Sequence, residues 1–144
     1  MQLIIRKATV RREAGSKGDT CVVSTGSGLL KDAHFALGVP VKEDSVTDPA
    51  ELIAAAHAGS FSLALSNELK LAPSDSGNIV TAATVTMEYL AAGWTIINIH
   101  LNVIAKLSKV TQSEFIDATV RAKTSCLVSR LLRTTISMTA KLEK

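Results

Sequence analysis

Aromatic side chains are scarce, with three phenylalanines, one tyrosine and one tryptophan in 144 residues. That leaves few platforms on which nucleic-acid bases could stack. Basic blocks are missing too: 16 Lys and Arg stand against 13 Asp and Glu, a net charge of only +3. Without a run of cations to follow phosphates, a nucleic-acid role is excluded. Only two cysteines occur, Cys21 and Cys126, far apart and in no CxxC pair. They form neither a secreted disulfide framework nor a zinc ribbon. Long apolar runs are also lacking. The longest, Leu52 to Ala58, is interrupted by His57 and is too short to span a bilayer. The opening MQLIIRKATVRREAG reaches charge too early for a signal peptide. A soluble cytoplasmic protein without membrane contact is expected. His34, His57 and His100 fall on separate segments with no metal-ligand spacing, so no metal or cofactor is expected.

What is present is a normal core-forming supply, 47% hydrophobic residues in a chain long enough for one domain over residues 1–144. Residues 2–10 and Thr20–Thr25 read as strands, separated by a charged turn from Arg11 to Asp19, and 29–40 as short edge strands. Asp48, Pro49 and Glu51 make a capping box with proline at its favoured first helical position. The helix they open should run to about Leu71, before Pro73. It is apolar on nearly every side, as a fully buried helix would be. Residues 79–90 and 94–106 alternate and are joined by Ala91-Ala92-Gly93, a hairpin. Its core face should hold Ile79, Ala83, Val85, Met87 and Tyr89 on one strand, and Ile97, Ile99, Leu101, Val103 and Ala105 on the other. Thr111 and Glu114 make a second capping box, for a helix reaching about Ser125. A helical piece over 126–133 and a last strand over 134–142 follow. Segregated strands and helices predict an α+β fold with a mostly antiparallel sheet. A helix apolar all round needs more cover than one sheet provides, which predicts a homodimer.

The stretch AAAHAGSFSLAL, residues 54–65, carries the chemistry-bearing side chains. His57 and Ser60, at i and i+3, share a helix face and invite a serine-hydrolase reading. No G-x-S-x-G elbow and no supporting acid accompany them. Ser60 bonded back to the carbonyl of Ala56 is the simpler reading, with His57 a satisfied core or interface histidine. Cys21 reads as a small buried hydrophobe. Cys126 opens a helical piece, and two readings stand: a reactive lone thiol, or an inherited cysteine with no partner.

TDPAELIAAAHAGSFSLALS followed by AKTSCLVSRLL resembles the osmotically inducible protein C and organic hydroperoxide resistance family over essentially the whole chain. The resemblance implies an OsmC-like fold with a long buried central helix, built as an intertwined homodimer. It also implies thiol-based reduction of organic hydroperoxides. A cysteine in the buried helix attacks the peroxide, a second closes a disulfide with it, an Arg and a Glu activate the first, and dithiols of the lipoyl type act as reductants.

The residues match unevenly. The second cysteine is present as Cys126, with Ser129 retained, whereas the first falls on Ser60. The family's glutamate falls on Ala50, with Glu51 one position later and committed to the capping box. The arginine of one subgroup lands on Pro40, with Lys42 the nearest cation; that of another lies near Arg11 and Arg12. A serine hydroxyl cannot pass through sulfenic acid to a disulfide. Three departures at one site fit natural divergence better than a single engineered exchange. The expectation is a non-peroxidase binding or regulatory relative whose uncharged pocket takes a small apolar ligand. The alternative is an active hydroperoxide reductase, working through Cys126 alone or with cysteine native at position 60, and only then needing a dithiol reductant.

Overall fold

The computed structural model describes residues 2–13, 20–34, 46–72 and 78–143. The chain divides into two compact units, Met1–Leu52 and Ile53–Lys144. In the first, β1 (Ala8–Glu13), β2 (Thr20–Thr25) and β3 (Ala33–His34) form an antiparallel sheet in that order. Ladder partners set the bounds. Ala8–Glu13 pairs residue for residue with Thr20–Thr25, so Arg11 and Arg12 belong to a strand rather than to a turn. Among the described residues, 2–7, expected as strand, have no ladder partner and no regular structure, and Leu3, Ile4 and Ile5 stay exposed. Of the edge strands expected over 29–40, only Ala33–His34 lies among the described residues as strand. Gly28, with φ 76°, supplies the left-handed step of the turn after β2.

The helix α1 (Pro49–Glu68) begins where the capping signal put it, and Asp48 Oδ1 accepts the N–H of Glu51 at 2.7 Å. It stops at Glu68, short of the expected Leu71. Lys70 turns left-handed (φ 54°), and the N–H groups of Lys70 and Leu71 bond back to the carbonyls of Asn67 and Ser66. This is a Schellman stop with lysine where glycine is usual. The 6→1 bond takes the carbonyl that a further turn would have used.

In the second unit, β4 (Asn78–Leu90), β5 (Gly93–Lys106) and β6 (Thr135–Glu143) form a sheet in that order. β4 and β5 are antiparallel, and β6 runs parallel to β5. A parallel neighbour needs a crossover, here α2 (Gln112–Ser125) and α3 (Leu127–Leu131). Thr111 opens α2 with a complete capping box. Phe61 and Leu65 of α1, Leu101, Val103 and Ala105 of β5, and Phe115, Ala118 and Ala122 of α2 meet in one core that includes Cys126. Each large side chain buried there contributes roughly 1.5–3 kcal/mol.

Two residues leave the expected core face. A bulge at Thr86/Met87 shifts the register, so Ile96 rather than Ile97 faces Met87 and Ile97 is 39% exposed. The extra residue reverses the alternation beyond it. Tyr89, next to the turn, is exposed and packs edge to face on Trp94, its cross-strand partner, with ring centroids 5.5 Å apart. Nor is α1 buried all round in the single chain. His57, Phe61 and Leu65 are buried, but Ala55, Ala56, Gly59 and Leu63 face outward, Leu63 being 65% exposed. Sheet and α2 cover one side of a helix, not its whole circumference. Among the described residues no helix is long and apolar enough to cross a membrane.

Candidate functional site

Four chemistry-bearing side chains converge within the second unit. Cys126, 2% exposed, links α2 to α3: its N–H closes α2 on the carbonyl of Ala122, and its sulfur caps α3 by accepting the N–H of Ser129 at 3.4 Å. Its thiol in turn donates to Ser129 Oγ at 2.9 Å. On the other side of that hydroxyl stands His57 of α1, with Nε2 at 2.8 Å. Ser60, one turn further along α1, has its Oγ 3.4 Å from the N–H of Val128, which it accepts. The thiol, the serine hydroxyl and the imidazole thus form a chain between α3 and α1, with Ser60 alongside.

The bond found for Ser60 is to α3 and not back onto the carbonyl of Ala56. Its oxygen accepts there because the first amides of a helix lack intrahelical acceptors. Nor does His57 serve Ser60; its bond goes to Ser129, 72 residues away in sequence. His57 is fully buried, and only one of its ring nitrogens is satisfied, for Nδ1 has no partner. Burial pushes its pKa below the ordinary 6.5, so the ring is neutral at neutral pH. Ser129 is the hub of the site. Sequence reading noted it only as a retained residue of the family pattern, although its place three residues after Cys126 is a helix-capping spacing.

Ala50 is buried in the first turn of α1 and offers no charge, while Glu51 is exposed there. Arg11 and Arg12 lie exposed on β1, Arg11 being 3.7 Å from Asp32. Pro40 and Lys42 lie outside the described residues. Cys21 is buried in β2. His34 is exposed, and His100 bonds Ser137 and Thr139 on β6. Among the described residues no group of three or more His, Cys, Asp or Glu is placed to hold a metal ion.

A long helix laid on a mixed sheet, with a buried thiol at a helix junction beneath it, defines an α+β thiol protein. The chain belongs to the OsmC-like protein family, whose model matches residues 42–141. It is 33% identical to the peroxiredoxin OsmC of Escherichia coli K12 over 135 residues, 94% of each chain. Among solved structures, it resembles an OsmC-like protein of Vibrio cholerae with a TM-score of 0.76 at 15% identity, over 96% of this chain and 99% of that one. It also resembles the organic hydroperoxide resistance protein OhrB of Bacillus subtilis, with a TM-score of 0.63 at 18% identity, over 99% of this chain and 100% of that one. At those identities the structural likenesses speak for the fold.

Proposed function

We propose that this member of the family has lost two-cysteine peroxidase turnover and serves as a binding or regulatory protein for small apolar ligands. One observation carries the reading. The hydroxyl of Ser60 occupies the family pattern's attacking position on α1 and is bonded to Val128, beside the surviving Cys126. An oxygen there cannot accept the peroxide oxygen and then exchange it for a disulfide. Ala50, where the pattern has its glutamate, removes the charge that would activate a thiol at position 60.

The protein works as a cytoplasmic homodimer in which residues 1–144 form one functional domain. The exposed apolar residues of α1, Leu63 above all, and the exposed Leu127 and Leu131 of α3 support the dimer. They form the kind of surface that a second subunit covers.

A competing reading keeps the enzyme and gives the chemistry to Cys126 alone, oxidised by a hydroperoxide to sulfenic acid with release of the alcohol, and returned by a dithiol. The link from Cys126 through Ser129 to His57 favours it; the near-complete burial of the sulfur opposes it. Mixing the purified protein with an organic hydroperoxide and a dithiol decides between them. No turnover above the dithiol blank is expected, and mass spectrometry should find Cys126 unoxidised. Sustained turnover abolished by Cys126→Ala would establish the enzyme. Ser60→Cys alone is expected to restore little activity, since Ala50 stays uncharged.

A further inference from the structure

A serine hydroxyl beside a neutral imidazole is the pairing from which acyl-transfer nucleophiles are made. Ser129 Oγ stands 2.8 Å from Nε2 of His57, within the reach that a nucleophile and its general base require. The bond lies within one chain, so it does not depend on how much of α1 or α3 a second subunit covers.

The neighbours set the direction of the proton. The sulfur of Cys126 accepts the N–H of Ser129 at 3.4 Å and gives its own S–H to Ser129 Oγ at 2.9 Å. The Ser129 proton is thereby assigned to Nε2, and the ring proton to Nδ1. Burial keeps the ring neutral, so Nε2 can take up a proton. From this geometry we infer that Ser129 and His57 form a nucleophile–base dyad that accepts small acyl groups from activated esters, namely aryl esters and thioesters. Ser129 Oγ attacks the carbonyl carbon while its proton passes to Nε2. The phenol or thiol leaves with that proton, and the acyl group stays as an ester of Ser129 until water releases it as the acid. Ser60 accepts the N–H of Val128, the residue before Ser129, and keeps its own proton to give. It supplies a donor beside the dyad for the carbonyl oxygen.

What the dyad lacks sets the substrate class. Among the described residues Nδ1 of His57 has no partner, so no carboxylate steadies an imidazolium. In a serine triad the loss of that support costs about 10⁴-fold in kcat. Esters with a ready leaving group need it least, alkyl esters and amides most. Ser137 is the counter-case. His100 Nδ1 lies 2.7 Å from its Oγ, but its hydroxyl donates to Asn98 Oδ1 at 3.5 Å, so the proton is not offered to the imidazole. The dyad adds a reaction to the binding role proposed above and shares with it only the entry of a small molecule beside Ser60.

The native full chain is mixed with p-nitrophenyl acetate at neutral pH, nitrophenol release is followed, and acetyl sites are located by peptide mass spectrometry. A burst of one acetyl per chain is expected, then slow turnover, with the acetyl on Ser129 and none on Ser137. His57→Gln should slow acetylation of Ser129 at least about a hundredfold, the low end for a general base. Ser129→Ala should remove the burst. A fluorophosphonate, which bonds an activated serine oxygen with loss of fluoride, should label Ser129 in the native chain and not in the chain unfolded in urea, a comparison that needs no variant to fold. Acetyl found only on Cys126 or lysines, a burst that survives Ser129→Ala, or labelling of Ser129 undiminished by His57→Gln or by unfolding would each overturn the dyad. Hydroperoxide turnover would overturn the loss of peroxidase activity and leave acylation of Ser129 standing, so the two readings fail separately.

Discussion

Two histidines make nearly the same bond and live differently. His57 Nε2 lies 2.8 Å from Ser129 Oγ, and His100 Nδ1 lies 2.7 Å from Ser137 Oγ. His100 also has Thr139 at its second nitrogen, 3.1 Å away, and sits half-buried on the outer face of the β5–β6 pair. His57 is fully buried with its second nitrogen empty. The bond is the same; what differs is whether water and a second partner are within reach. A sealed imidazole with an orphan nitrogen ties its charge state to the structure around it.

Truncation should expose the contrast most strongly. His57→Ala leaves a cavity and strands the Ser129 hydroxyl, a loss expected at about 2–4 kcal/mol. His100→Ala removes a half-exposed ring whose partners can turn to water, expected at about 1 kcal/mol or less. Urea unfolding of both variants measures the difference, and equal losses would erase the distinction.

The serines rank next. Ser129→Ala takes a partner from both His57 and Cys126 in a closed site and should cost about 1–3 kcal/mol. Ser137→Ala should cost about 0.5–1 kcal/mol, since water replaces the hydroxyl. If Ser137 proved the more costly, the hub would lie on the sheet and not between the helices.

The sequence made some of this legible and hid the rest for definite reasons. The Thr111–Glu114 capping box and the Asp48-Pro49 start are local signals, readable because a cap is completed within four residues. The hairpin alternation was also readable, except at Tyr89, beside the turn, and at Ile97, because a bulge is decided by the opposite strand. Residues 2–7 have strand composition but no ladder partner among the described residues, and composition does not supply one. Ser60 and Cys126 came into view through resemblance to a family. The bond that organises the site, His57 to Ser129, spans 72 residues, and no spacing rule reaches that far. The adjacency of His57 and Ser60 in sequence even pointed to the wrong pair, because helix spacing shows which residues share a face and not what that face meets.

The smallest effect in the comparison is also its cleanest. The His57 pKa is lowered below 6.5 by burial, so the unfolded chain takes up the proton before the folded one does. Stability is then complete above pH 6.5, falls as pH drops below it, and stops falling on this account below the folded pKa. The slope cannot exceed about 1.4 kcal/mol per pH unit for one proton. Glu114, whose carboxyl is held below 4.5 chiefly by the backbone N–H of Thr111, loses its contribution in a more acidic range and leaves this window clear. Urea midpoints between pH 7.5 and pH 5 should therefore fall for the native chain and fall less for His57→Gln. A slope that survived His57→Gln undiminished would mean that burial does not couple the charge of this ring to folding, and would remove the physical basis for treating the two sites as different.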